Sequence, residues 1–314
     1  MRRVIVAFLL CAGIFCFAQS EAQVPTTGAG LGAPGGAPAA YTGPLDVVGS
    51  NVVGCWALRA CSSAARGNAA INVCNVSDIA CADWLTDAST GALVPTTVGG
   101  SSCAVVVCTV KTIYDQSGAL ACAGSTACDL VDATINARGT LVANCINTSH
   151  YCIAFTGGEG YNSANALPTI TQPYTQSLVV ERTGNTSAGN TVFTSSTGGD
   201  LFGMGTSANL GALFNGTYGT WTATDNAWNA QSVVSNAGSS IYNDNGTAGS
   251  PSANPGTGNL PSGTMQMGYY TGAGTLYFGG NFVEGVFWKA TSSAGQLSSI
   301  VSNQRGSSNA GWNF

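Results

Sequence analysis

Ten cysteines, Cys55, Cys61, Cys74, Cys81, Cys103, Cys108, Cys122, Cys128, Cys145 and Cys152, crowd into about a hundred residues, and the chain after Cys152 has none. An even set of this density in an exported chain implies a disulfide framework. Read in order, the cysteines suggest five short loops: Cys55–Cys61, Cys74–Cys81, Cys103–Cys108, Cys122–Cys128 and Cys145–Cys152. Spacing alone does not select this set, because ten cysteines allow many hundreds of pairings. A zinc site is not expected, since Cys-x-x-Cys is absent and His150 is the only histidine.

The start of the chain supports export. Arg2 and Arg3 precede an apolar run from Val4 to Ala18, then Gln19, Ser20 and Glu21. Residues 1–22 read as a signal peptide, too short to span a bilayer, which takes away Cys11 and Cys16. Residues 23–43 are rich in Gly, Ala and Pro and read as a flexible linker, leaving 44–314 as one domain. No later apolar run could cross a membrane, so the mature chain is expected to be secreted or periplasmic.

Only 7% of the 314 residues are charged, against about a quarter in an ordinary domain. Ser, Thr, Asn and Gln must therefore supply the polar surface. Such a composition disfavours helices and favours strands and turns. A net charge of −5 excludes a nucleic-acid partner, which needs clustered Lys and Arg.

Strands are expected at Cys103 to Tyr114, Tyr151 to Phe155, Ser177 to Arg182, Thr191 to Ser195, Ser232 to Ser235, Thr264 to Tyr270 and Asn281 to Lys289. Asn245-Gly246 marks a hairpin turn. One helix is expected late, capped by Ser292 or Ser293, with Leu297, Ile300, Val301 and Gln304 on one face. The pattern is an all-β sandwich with one short C-terminal helix.

The segment Ser101 to Gly118 (SSCAVVVCTVKTIYDQSG) sharpens this reading. It resembles the catalytic domain of the α-L-arabinofuranosidase B family, a secreted concanavalin-like jelly-roll in which a close cysteine pair precedes a strand ending in Tyr-Asp-Gln-Ser-Gly. Shorter matches are Gly43-Pro44, Ala57-Leu58-Arg59, FTGGEGY at Phe155 to Tyr161, LFNG at Leu213 to Gly216, VEGV at Val283 to Val286, and Asn303-Gln304-Arg305. The resemblance implies a bond between Cys103 and Cys108, and release of terminal arabinofuranosyl units from polysaccharide or oligosaccharide by a monomer that needs no cofactor. Asp115 and Gly118 are suited to the ends of a type I turn, so the DQSG block reads as structural.

Retaining hydrolysis needs two carboxyl groups about 5–5.5 Å apart. The resemblance implies a glutamate shortly before Leu-Phe-x-Gly and an aspartate in the Gly-rich loop before Glu-Gly-Val. Here those segments read Thr206 to Ala212 (TSANLGA) and Gly268 to Thr275 (GYYTGAGT), with no acid in either. The substitutes on offer are Asp200 and Glu159. Glu284 also matches the family, but its place in a core strand suits a structural role. Glycan binding needs less: stacking rings and neutral donors suffice, and Trp221, Trp228, Tyr269 and Tyr270, with Tyr218 beside them in the sequence, are the candidates. The alternative to hydrolysis is therefore a non-catalytic glycan-binding or surface module of the same fold.

Overall fold

The computed structural model describes residues 40–118, 128–132, 137–183, 191–197, 201–204, 210–260, 262–270, 276–306 and 311–314. The expected leader and most of the expected linker lie outside them. A five-residue helix, α1 (Pro44–Val48), opens the domain, with Pro at its first turn and Asp46 accepting the Gly43 N–H at 2.8 Å.

Strands then follow with Gly- and Asn-rich turns between them: β1 (Val52–Ala57), β2 (Ala69–Asn75), β3 (Cys81–Thr86), β4 (Leu93–Val94), β5 (Cys108–Ile113), β6 (Leu130–Val131) and β7 (Thr140–Ile146). Next come β8 (His150–Thr156), β9 (Tyr161–Leu167), β10 (Tyr174–Arg182), β11 (Thr191–Ser195), β12 (Leu201–Met204), β13 (Leu210–Phe214) and β14 (Tyr218–Thr222). The series closes with β15 (Trp228–Ser235), β16 (Ile241–Asp244), β17 (Thr247–Gly249), β18 (Gly263–Met267), β19 (Tyr269–Tyr270), β20 (Leu276–Tyr277) and β21 (Gly279–Trp288). Helix α2 (Ala294–Arg305) comes last.

The ladders are antiparallel and form two layers. In the first, β17, β16, β15, β10 and β21 pair in that order. The C-terminal half of β21 then pairs with β1 and its N-terminal half with β8. From β8 the layer continues through β7, β5, β2, β3 and β4. The second layer is β9, β18, β11, β12, β13 and β14, joined to the first by β6, which pairs with both β5 and β9. Facing sheets bury their inward side chains against one another. Phe193 of β11 accordingly meets Trp56 of β1 at 5.4 Å and Phe282 of β21 at 6.0 Å between ring centroids. Gly285 lies beneath Phe193, where a Cβ would come within 2.5 Å of the ring. Close approach of the layers thus explains the glycine of VEGV.

The expected helix is present. Ser293 caps it, Gln296 reaches back to the cap, and Leu297, Ile300, Val301 and Gln304 are its buried face. Asn245 and Gly246 both take positive φ in the β16–β17 hairpin, as a two-residue turn of this kind requires. Helix α1 is an addition to the expected elements, and the strand expected from Thr264 to Tyr270 is broken at Gly268, where φ is +82°, into β18 and β19, which pair with different strands.

Four of the five expected disulfides lie within the described residues: Cys55–Cys61, Cys74–Cys81, Cys103–Cys108 and Cys145–Cys152. Cys128 is also disulfide-bonded, while Cys122 lies outside the described residues. The Cys103–Cys108 bond corrects the expectation of a continuous strand from Cys103 to Tyr114. Five extended residues would span about 17 Å, but the bonded pair stands 5.5 Å apart between Cα atoms. The segment before Cys108 therefore loops out, Val105 is 85% exposed, and only Cys108–Ile113 is strand. Among the described residues no helix is long and apolar enough to cross a membrane.

Candidate functional site

The DQSG block is a knot in the framework. The Asp115 carboxylate accepts the backbone N–H groups of Cys55 (3.0 Å), Ser117 (3.0 Å) and Cys128 (3.2 Å). Gln116 accepts from the N–H of Cys61 and donates to the carbonyl of Ala57, at 3.2 and 2.8 Å. Together these side chains fasten the end of β5 to β1 and to the first disulfide loop. Burial pushes the Asp115 carboxyl up, against the pull of those three donors.

Glu284 is likewise committed to structure. Its carboxylate is fully buried on the outer side of β21, beneath α2. It accepts from Arg59 Nε at 2.6 Å, Gln304 Nε2 at 2.9 Å and the Trp312 indole at 3.0 Å.

Chemistry that could meet a ligand gathers where β8, β21, β10 and β15 end together. Thr156 stands opposite Gly279, Asn281 opposite both Ala154 and Glu181, and Glu181 opposite Trp228. Asn281 donates to Glu181 at 2.8 Å, and the buried Arg182 pairs with Asp225 through Nε at 2.7 Å. These four residues were missed by sequence reasoning. Their signal was the two charges closing the otherwise apolar strand SLVVER.

Glu159 sits on the same rim, in the turn from β8 to β9. Its carboxylate accepts from the N–H groups of Thr156 (2.7 Å), Gly157 (3.0 Å) and Gly158 (3.0 Å), and from the Thr156 hydroxyl. Burial pushes this carboxyl up, but the donors outweigh it and hold it below the usual range. A general acid needs the opposite shift. Tyr269 rests on this turn, its ring over Gly160, where a Cβ would lie 2.0 Å away. It is half-buried and hydrogen-bonded to the side chains of Asn162 and Gln266.

The remaining candidates separate. Trp228 is half-buried at the rim, with Phe314 at 6.3 Å. Trp221 is a core side chain, 4% exposed, stacked on Tyr242 at 5.1 Å and donating to Asp244 Oδ2 at 3.2 Å. That burial removes it as a stacking platform, because both the ring and its N–H are already occupied. Asp200 and the Tyr270 side chain lie outside the described residues. Of the aromatic candidates Tyr218 is the open one, 43% exposed and 4.7 Å from Phe214 across the β13–β14 hairpin.

The other described acids are engaged as well: Asp46 by Ser63, Asp78 by Arg138, Asp83 by Asn72 and Tyr114, Asp87 by Ser89 and Thr90, and Asp129 by the N–H of Asp115. Asp132 is not free either. The thiols of Cys74 and Cys81, which with Asp78 form a cluster of metal-ligand type, are bonded to each other.

No family model matches the chain, and no curated protein matches it. Solved structures do. An arabinofuranosidase complexed with arabinofuranosyl-α-1,2-xylobiose superposes with a TM-score of 0.57 at 17% identity. A mutant GH54 α-L-arabinofuranosidase soaked with 4-nitrophenyl α-L-arabinofuranoside gives 0.56, and a GH54 enzyme soaked with a cyclic sulfate inhibitor gives 0.55, both at 17% identity. Each match covers 83% of this chain and 64% of the other, so the chain spans less than two thirds of the structures it resembles. At this identity the likeness concerns fold, and the chain has the β-sandwich fold of the GH54 α-L-arabinofuranosidases.

Proposed function

We propose that the chain is an exported carbohydrate-active protein that binds arabinofuranosyl-bearing polysaccharide at the rim formed by the ends of β8, β10, β15 and β21. One observation carries the reading: two half-buried rings line the rim, Trp228 opposite Glu181 and Tyr269 among the amides of Asn162 and Gln266, while the Glu181 and Glu159 carboxylates are already held by protein donors. Sugars offer apolar C–H faces to rings and hydroxyls to amides, and need no charge. The paired cysteines and the apolar leader support export. Affinity electrophoresis in arabinan and arabinoxylan tests the site. Retardation is expected, and Trp228→Ala or Tyr269→Ala should weaken binding at least ten-fold. Retardation unchanged in both variants would refute the rim.

A second reading, retaining hydrolysis of terminal arabinofuranosyl units, is favoured by the fold shared with arabinofuranosidases over 83% of the chain. In that case Asp200 and Glu159 would supply the carboxyl groups, although Glu159 is held ionised by its own turn. Turnover of 4-nitrophenyl α-L-arabinofuranoside that disappears in Asp200→Asn and Glu159→Gln would establish it. A rate equal to the blank leaves binding as the function.

A further inference from the structure

β8 runs from the rim to a second concavity. A rise of about 3.3 Å per residue puts His150 about 20 Å from Thr156, and the His150 end borders a cavity of about 170 Å³. Leu93 and the half-buried Tyr151 give it apolar walls, the edge of the buried Trp312 closes it, and Arg59 and His150 are its basic groups. Pro95 and Ser149 are the exposed members of its lining.

Charge and size narrow what can enter. The Arg59 guanidinium lies 5.7 Å from the centre of the Trp312 ring, but Glu284 neutralises it from behind at 2.6 Å. His150 meets Trp312 edge-on at 5.5 Å and its Nδ1 lies 3.0 Å from Ser149 Oγ. Burial pushes the His150 pKa down, which favours the neutral ring. The cavity thus carries no net charge to attract an ion. An apolar cavity of about 150 Å³ holds one benzene, so this one admits a single ring. The Ser149 hydroxyl and the His150 imidazole beside the half-buried Tyr151 ring suit a ring with an apolar face and a hydroxylated edge.

We propose that this cavity binds one neutral pentose-sized sugar ring, independently of the rim. His150 is the only histidine, so its Cε1–H proton resonance reports on the cavity without assignment. Titrating the mature protein with L-arabinose and with D-xylose should move that resonance saturably, with a Kd on the order of 1 mM. Pro95→Trp, a bulky substitution at an exposed position of the lining, should abolish the shift, and Tyr151→Ala should weaken it at least ten-fold. Trp228→Ala, which acts at the rim, should leave it unchanged. The proposal falls if neither sugar moves the resonance up to about 100 mM, if the shift survives both cavity variants, or if Trp228→Ala removes it. Movement by phenol but by neither sugar would make the cavity an apolar site and equally overturn it.

Discussion

Asp244 shows how a single side chain sets a pH response. Oδ2 accepts from Trp221 and from Gln231 Nε2, each at 3.2 Å, while Oδ1 is buried with no donor among the described residues. Burial pushes its carboxyl up to about 7, against the pull of those two donors. In the unfolded chain the group titrates near 4. Between about 4 and 7 the unfolded chain releases a proton that the folded chain keeps, so stability falls as pH rises, by up to about 4 kcal/mol. Urea unfolding should show this decline, and Asp244→Asn should flatten it. An unchanged slope in the variant would assign the decline elsewhere. Glu284 poses a different test. Glu284→Ala takes away the carboxylate that neutralises the buried Arg59 and should cost about 3–5 kcal/mol, whereas Glu284→Leu combined with Arg59→Met should cost less. Equal losses in the single and double variants would show that the pair is not what matters. Neither cluster was legible in the sequence: Arg59 and Glu284 are 225 positions apart, and a buried Trp221 is written with the same letter as an exposed one.

At the scale of elements, legibility followed locality. Helix α2 could be read because its cap and its buried stripe lie within a dozen residues. The disulfide order could be proposed because each bond closes a loop between nearest cysteines. The stretch before Cys108 was misread because four consecutive apolar residues look like a buried strand, and nothing in their hydrophobicity registers the bond that turns them outward. Each bond closes only five to seven residues of chain, which is worth about 2 kcal/mol per loop on the chain-entropy model. Replacing both cysteines of one pair by Ser should therefore lower the unfolding free energy by about that amount, measured by urea titration. The C-terminal segment is a larger contributor. Trp312 plugs the core, its N–H bonded to the Gln304 carbonyl at 2.7 Å and its indole to Glu284. Trp312→Ala should cost about 3–5 kcal/mol, and a loss below 1 kcal/mol would show the plug to be dispensable.

For the molecule as a whole, the scarcity of charge governs partners. At rim and cavity the charged side chains are held by protein partners, and attraction of a neutral sugar to the rings, amides and hydroxyls beside them is not screened. Affinity for polysaccharide should therefore stay constant within two-fold from 50 mM to 500 mM NaCl, roughly one decade of ionic strength over which phosphate-type contacts lose orders of magnitude. A steep salt dependence would point instead to an ionic partner. Asn215-Gly216-Thr217 is an N-glycosylation acceptor sequence that the fold constrains: the Asn215 side chain is buried and donates to Ser235 Oγ. Intact-mass analysis from a glycosylating host should find it unmodified. Finally, the staples impose an order of events. A chain delivered across a membrane N-terminus first presents its thiols to an oxidant one at a time, and in each of the four bonds the right partner is the next thiol to emerge. Oxidation in order of arrival then reaches the native pairing with no reshuffling by thiol–disulfide exchange. Export from a host lacking disulfide isomerase should yield as much protease-resistant protein as export from its parent.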